Sequence, residues 1–146
     1  MSYRSALSNP VANSGDVGRI VYGLNLSNNI PLTTGVQKGI DTITLGEGLW
    51  NISCACNLEL SASATITNSQ FFLAEQGFAA LLDFTEAVAV TTTVSTNIGQ
   101  TRSVIVSLSA STVLSFSTTT IFTVGTATIA KPSIVGNQYI TATKIG

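Results

Sequence analysis

Residues 49–60 alternate between apolar and polar side chains, and this pattern constrains the fold more than any other feature of the chain. The even positions hold Trp50, Ile52, Cys54, Cys56, Leu58 and Leu60. The odd positions from 51 onward hold Asn51, Ser53, Ala55, Asn57 and Glu59. A period of two is typical of a β-strand with one buried face. Since a register slip of one residue would expose the whole apolar row, the run predicts the central strand of an all-β domain.

Further strands are predicted at 19–26, 40–45, 70–74, 101–108, 112–123, 127–130 and 137–145. Residues 40–45 and 49–60, joined by Gly46-Glu47-Gly48, form a predicted hairpin. Residues 79–94 are open between a helical turn and a strand, because an alanine-rich start precedes a β-branched end. About eight short strands without a long helix predict an antiparallel β-sandwich, most simply a jelly roll.

The 146 residues fit one domain. Residues 1–18 carry turn signals, namely Asn9-Pro10 and Asn13-Ser14-Gly15, and little apolar content. We therefore predict an N-terminal arm, extended or loose, over residues 1–18 and a single jelly-roll domain over residues 19–146.

Charge is scarce in this sequence. Charged residues make up 9% of the chain, against about 25% in an ordinary soluble protein, and the formal net charge is -1. Such a surface has no field that attracts nucleic acid, and no window approaches the ~18 apolar residues of a membrane span. Because few charges oppose association, we predict a homo-oligomer in preference to a monomer kept soluble by hydroxyl groups.

Catalytic and metal-binding patterns are missing from the sequence. The chain has no histidine, and its carboxylates are scattered without a spacing that pairs any two of them. Cys54 and Cys56 share one strand face and are read as two small buried hydrophobes, since there is no third cysteine to complete a metal site. The sequence therefore predicts a protein that is not an enzyme and has no metal or cofactor.

From residue 40 onward the chain resembles a family of bacteriophage structural domains with a TNF- or C1q-like jelly roll. The resemblance lies in three motifs. Leu45-Gly46 leads through Trp50 to Ile52-Ser53; Thr112-Val113 runs to Phe122 and Gly125-Thr126; and Ile140-Thr141-Ala142-Thr143-Lys144-Ile145 closes the chain. The chain departs from the family pattern at Leu114, Phe116 and Lys144, and in its Lys131-Pro132 loop.

The resemblance implies a homotrimer on the virion surface, made in the host cytoplasm. We expect a decoration protein that stabilises the outer capsid by binding the major capsid protein. The expected capsid-anchoring residues belong to the arm and its exit: Tyr3, Arg4, Leu7, Pro10, Val11 and Arg19. The expected subunit interface contains Asn51, Ser53, Asn57, Glu59 and Phe116.

The alternative is a fibre-tip or tail receptor-binding domain. In that case loops such as 27–39, 91–100 and 131–136 would contact a host surface glycan or protein, because their Ser, Thr and Asn content suits hydrogen bonding to sugars.

Overall fold

The structure is a computed structural model that describes residues 17–61, 64–75, 80–86, 90–91, 96–132 and 138–146. Within these ranges the chain forms eleven β-strands. They are β1 Ile20–Tyr22, β2 Asn29–Pro31, β3 Lys38–Leu45, β4 Gly48–Leu60, β5 Thr65–Glu75, β6 Ala80–Glu86, β7 Val90–Thr91, β8 Thr96–Leu108, β9 Thr112–Thr123, β10 Ala127–Ala130 and β11 Ile140–Lys144.

The strands form two antiparallel sheets that pack face to face. The first sheet has six strands in the order β1-β11-β4-β10-β2, with β8 on the other side of β4. The second sheet has five strands in the order β3-β9-β5-β6, with β7 also paired to β5. This arrangement is a jelly-roll β-sandwich, so the predicted fold class is confirmed.

Strand β4 is the centre of the first sheet. One edge pairs with β8 along its whole length, and the other edge is divided between β11, opposite residues 50–54, and β10, opposite residues 57–60. Its even residues are buried, with exposed fractions of 2% or less from Trp50 to Leu60. The alternation read from the sequence is confirmed as the burial pattern of this strand.

The predicted hairpin between residues 40–45 and 49–60 is wrong. β3 pairs with β9 in the second sheet, whereas β4 belongs to the first, so Gly46–Gly48 carries the chain from one sheet to the other. Gly48 has a φ of 141°, and a Cβ there would lie 2.5 Å from Cε of Lys144. Glycine is therefore required at this corner by both backbone and space.

Other strand predictions are confirmed with adjusted ends. β9 and β10 match their predicted ranges, and β8 begins five residues earlier than expected, at Thr96. In the ambiguous stretch 79–94, the described residues form strands β6 and β7, and the rest of that stretch lies outside the described ranges. The strand propensity of the β-branched and aromatic residues in this stretch outweighs the helical propensity of the alanines.

The core lies between the two sheets. Its largest fully buried side chains are Trp50, Tyr139, Phe71, Phe116, Ile40, Ile43, Leu45, Ile52, Leu58, Ile66, Leu73 and Leu114. The Trp50 indole N–H donates to the carbonyl of Gly46 at 2.9 Å, so the one polar atom of this side chain is satisfied.

Candidate assembly surface

The outward side of the first sheet is the surface best suited to contact another molecule. The strand register places Ile20, Thr143, Asn51 and Ile105 in one row across four strands. Tyr22, Thr141, Ser53 and Ser103 form a second row. Directly paired residues point to the same side of a sheet. We call these two rows, together with Ala55, Asn57, Glu59 and Thr101, the outer face.

Three large apolar side chains stand out among small ones on the outer face. Ile105, Ile20 and Tyr22 are 63%, 51% and 50% exposed. Between them lie hydroxyl and amide groups, including a hydrogen bond of 3.1 Å between the hydroxyls of Ser53 and Ser103. Glu59 is the one charged residue among the members of this face. Small, uncharged side chains let a second protein surface approach the sheet closely, and exposed apolar side chains gain free energy when such a surface covers them.

Four of the five predicted interface residues lie on the outer face. Asn51 is exposed, while Ser53, Asn57 and Glu59 are half-buried within the protomer. The Asn57 amide donates to the carbonyl of Lys131 at 3.3 Å, so part of its hydrogen-bonding capacity is used locally.

Phe116 is the exception, because it lies in the core of the protomer and not on the outer face. Its side chain is fully buried between the sheets, with its ring centroid 6.1 Å from that of Phe71. The even residues of β9 face the core, so this aromatic ring stabilises the protomer and is not available to a sister subunit.

The predicted capsid-anchoring residues lie within the first 19 positions of the sequence. Tyr3, Arg4, Leu7, Pro10 and Val11 are outside the described residues. Arg19 is half-buried just before β1. Its carbonyl accepts a hydrogen bond of 2.9 Å from the Lys144 amide, and the Gly18 amide donates to the Lys144 carbonyl at 2.7 Å. The backbone of residues 18 and 19, where the predicted arm would end, is therefore hydrogen-bonded to β11.

Ile20, Tyr22 and Ile105 belong to the outer face although sequence reasoning did not select them. Each lies in a strand that alternation could locate. Which residues become their neighbours depends on which strands pair, and the paired residues are 54 positions apart for Asn51 and Ile105 and 123 apart for Ile20 and Thr143. Periodicity identifies a face within a strand but not the strand beside it.

The two thiols lie on the inward side of the same strand. Burial raises the pKa of Cys54 to about 12 and raises that of Cys56 as well. Both are free cysteines and remain protonated near neutral pH, whereas metal ligation and nucleophilic attack require a thiolate. In the parts of the chain that the structure describes, no three His, Cys, Asp or Glu side chains gather into a possible metal site.

A shallow cleft of roughly 730 Å³ opens at the edge of the sandwich, beside the bulge in β3. Its walls carry Leu24, Asn25, Gln37, Gly39, Ile40, Asp41, Thr42, Ser115 and Ser117. The Gln37 amide lies 3.4 Å from the Ser117 hydroxyl and can donate to it. Five of the nine lining residues carry an amide or hydroxyl group and Asp41 is the one carboxylate, although more of the exposed lining is apolar than polar.

The predicted contact loops are partly strands. β2 lies within residues 27–39 and the beginning of β8 within residues 91–100, while residues 92–95 and 133–137 are outside the described ranges. The loop at Ser27 is anchored to the core, because the Tyr139 hydroxyl donates to the Ser27 carbonyl at 3.0 Å. The described ranges contain no helix that could cross a membrane.

No known protein family matches the sequence, and no curated protein matches it. Solved structures do match the fold. The structure of Eiger TNF from S. frugiperda aligns with a TM-score of 0.56 at 9% identity, covering 90% of this chain and 94% of that one. Structures of the Gx and Gt strains of infectious bursal disease virus align with TM-scores of 0.48 and 0.49 at 12% and 9% identity.

These alignments cover 87% and 90% of this chain, which spans 37% and 38% of the viral chains. An identity of 9% to the TNF structure shows a likeness of fold alone. The chain therefore has a jelly-roll β-sandwich fold similar to that of the TNF structure.

Proposed function

We propose that this chain is a virion structural protein, a homotrimeric decoration (cement) protein that binds the outer capsid surface and stabilises it. The observation that carries the proposal is the outer face of the first sheet, where Ile20, Tyr22 and Ile105 are half-exposed or more among small uncharged side chains. The TNF-like fold and the resemblance to phage structural domains support it.

The outer face supports self-association on energetic grounds. Burial of apolar surface stabilises a complex by roughly 25 cal/mol per Å², so covering three large apolar side chains favours association. Removing ionised groups from water opposes association, and this face carries only Glu59. In the proposed trimer the outer faces of three subunits meet, so that each subunit covers part of its neighbour.

The arm supplies the capsid contact in this proposal. Residues 1–18 would hold the major capsid protein through the anchoring residues named above, while Arg19 stays attached to β11 by its backbone. A protein that binds only the assembled shell stabilises it by mass action. The proposal assigns the chain no catalytic step, no cofactor and no nucleic-acid partner.

The deciding experiment is a binding assay with capsids that lack this protein. The full chain is expected to co-sediment with the capsids and to raise the temperature at which they disassemble. A chain lacking residues 1–18 is expected to stay folded by circular dichroism and to lose most of this binding. Failure of the full chain to bind would refute the capsid role, and full binding by the truncated chain would refute the role of the arm.

The cleft beside β3 favours the alternative of a receptor-binding domain. Its amide and hydroxyl lining can hydrogen-bond to a host glycan, and sugar sites use such groups. Binding of the protein to host cells, with loss of binding in Gln37→Ala and no binding to capsids, would establish this alternative. The exposed Thr44→Ala variant, which lies on β3 outside the cleft, is the matched control.

A further inference from the structure

The segment Gly23–Asn25, which follows β1, crosses the edge of the sandwich and ties the two sheets together. The Gly23 amide donates to the carbonyl of Ile140 in the first sheet at 2.9 Å. The Leu24 amide donates to the carbonyl of Thr42 in the second sheet at 3.0 Å. We call this segment the edge strap.

Asp41 holds the far end of the edge strap. Its Oδ1 accepts hydrogen bonds from the amide of Asn25 at 2.7 Å and from the amide of Thr42 at 2.8 Å. The side-chain amide of Asn25 in turn donates to the carbonyl of Ile40. Asn25 is thus hydrogen-bonded to β3 twice, through its backbone amide to the Asp41 carboxyl group and through its side chain to the Ile40 carbonyl.

The second oxygen of this carboxyl group has no hydrogen-bond partner. Asp41 is only 5% exposed, and its Oδ2 is buried without a donor. The strap itself covers this oxygen, since a Cβ built on Gly23 would lie 1.8 Å from Oδ2. An ionised carboxylate placed here has an unsatisfied charged oxygen, whereas a protonated carboxyl group does not carry that charge into the interior.

Charged and titratable groups face Asp41 from the elements packed around it. Lys131, which follows β10, attracts the carboxylate, while the Cys54 thiol on β4 and the Tyr139 hydroxyl just before β11 also interact electrostatically with Asp41. Burial raises the pKa of Asp41 and outweighs the opposing effects of the backbone amides and Lys131. The protonated form of Asp41 is therefore more strongly favoured in the closed structure than it would be in water.

We propose that Asp41 is a proton-controlled latch, whose neutral form keeps the edge strap closed and whose ionised form favours its opening. Opening gives Oδ2 access to water. Because Leu24 and Asn25 also line the cleft beside β3, closing the strap completes one wall of that cleft.

The direction of the pH effect follows from linkage. With the strap open, the Asp41 carboxyl is in water and titrates near its ordinary pKa of about 3.9. With the strap closed, its pKa is higher. Between these two values the closed form holds one more proton, so the opening equilibrium rises by up to about tenfold per pH unit. Below this window the strap is most stable, and above it the equilibrium no longer changes.

Amide hydrogen exchange measured by NMR on the full-length protein between pH 3 and 7 tests the latch. After correction for the intrinsic pH dependence, protection at Leu24 and Asn25 is expected to fall by up to about tenfold per pH unit from pH 4 upward and then level off. Protection in the centre of β4 is expected to lack this step. In Asp41→Asn the step at the strap is expected to vanish, whereas the exposed Glu47→Gln variant should retain it.

Two results would overturn the latch without reference to any variant. The first is pH-independent protection at Leu24 and Asn25 in the wild-type protein. The second is a carboxyl carbon titration that places the pKa of Asp41 at or below 3.8. Retention of the full step in a folded Asp41→Asn protein would assign it to another group and would also refute the proposal.

Discussion

The two faces of β4 have the same backbone and the same pairing partners but opposite environments. On the inward face, every side chain from Trp50 to Leu60 is apolar and at most 2% exposed. On the outer face, residues from Asn51 to Glu59 are small, polar or both, and all are exposed or half-buried. The inward row is already buried by contacts within one protomer. The outer row has the chemistry of a surface that a second molecule can cover.

This difference separates what stabilises the fold from what we propose for function. Burial of the inward row contributes folding free energy in any assembly state. Changes on the outer face leave that burial intact and act on association alone. Substitutions at adjacent positions of β4 should therefore act on different equilibria, namely folding for the inward face and association for the outer face.

The largest expected effect is that of Trp50→Ala on the inward face. Removing a fully buried indole leaves a cavity, so we expect a loss of about 3–5 kcal/mol in the free energy of unfolding. Because Trp50 is the only tryptophan, urea unfolding should be followed by circular dichroism. The neighbouring exposed variant Asn51→Ala should lie within about 0.5 kcal/mol of the wild type. Equal losses for the two variants would contradict the separation of the faces.

A charge on the outer face should act on assembly. Ser53→Arg places like charges on faces that meet in the proposed trimer, so we expect dissociation to be favoured by about 2 kcal/mol per subunit. Analytical ultracentrifugation should show a shift from three copies of the 15.1 kDa chain toward one. Thr44→Arg, at an exposed position of the second sheet, is the control and should remain trimeric. A wild-type monomer at micromolar concentration would refute the trimer itself.

A smaller effect is expected from the one carboxylate in the inward register of β3. Since burial raises the pKa of Asp41, the folded state binds a proton that the unfolded state has released above pH 3.8. Stability contributed by this group is therefore greatest at low pH and falls as the pH rises to the folded value. Asp41→Asn should remove this decline, so the variant gains stability relative to wild type as the pH rises. Parallel stability profiles for the two proteins would contradict this expectation.

The last prediction concerns the reactivity of the two buried thiols, Cys54 and Cys56. Burial raises the pKa of Cys54 to about 12, so this thiol is protonated in the native protein at neutral pH. A thiol reagent such as dithionitrobenzoate should label neither cysteine on the timescale of minutes, and should label both promptly in denaturant. Fast labelling of the native protein would show that the inward face of β4 opens readily.

The sequence predicted the fold class and the buried face of β4 because both follow from period-two burial. It failed at the Gly46–Gly48 corner, since a hairpin and a crossing between sheets use the same turn residues. Phe116 was misassigned because an aromatic residue in an alternating strand fits either an interface or a core. Ile20 and Ile105 were missed because their proximity depends on strand pairing.

Asp41 left a signal that sequence reasoning could have used. It occupies the same alternating row as Ile43 and Leu45, so an acidic residue falls in the inward register of a strand. Such a position predicts a carboxyl group with unusual surroundings. The strap that covers it could not be predicted, because Gly23 meets Asp41 only when the two sheets close at their edge.

The division of one edge of β4 between β11 and β10 has a consequence for the order of folding. Residues 50–54 pair there with strand Ile140–Lys144, about 90 positions further along the chain, and that strand also pairs with β1. Contacts of such long sequence separation form slowly. The central strand cannot complete its sheet until residues 140–144 have left the ribosome, so the first sheet closes long after β4 itself has been synthesised.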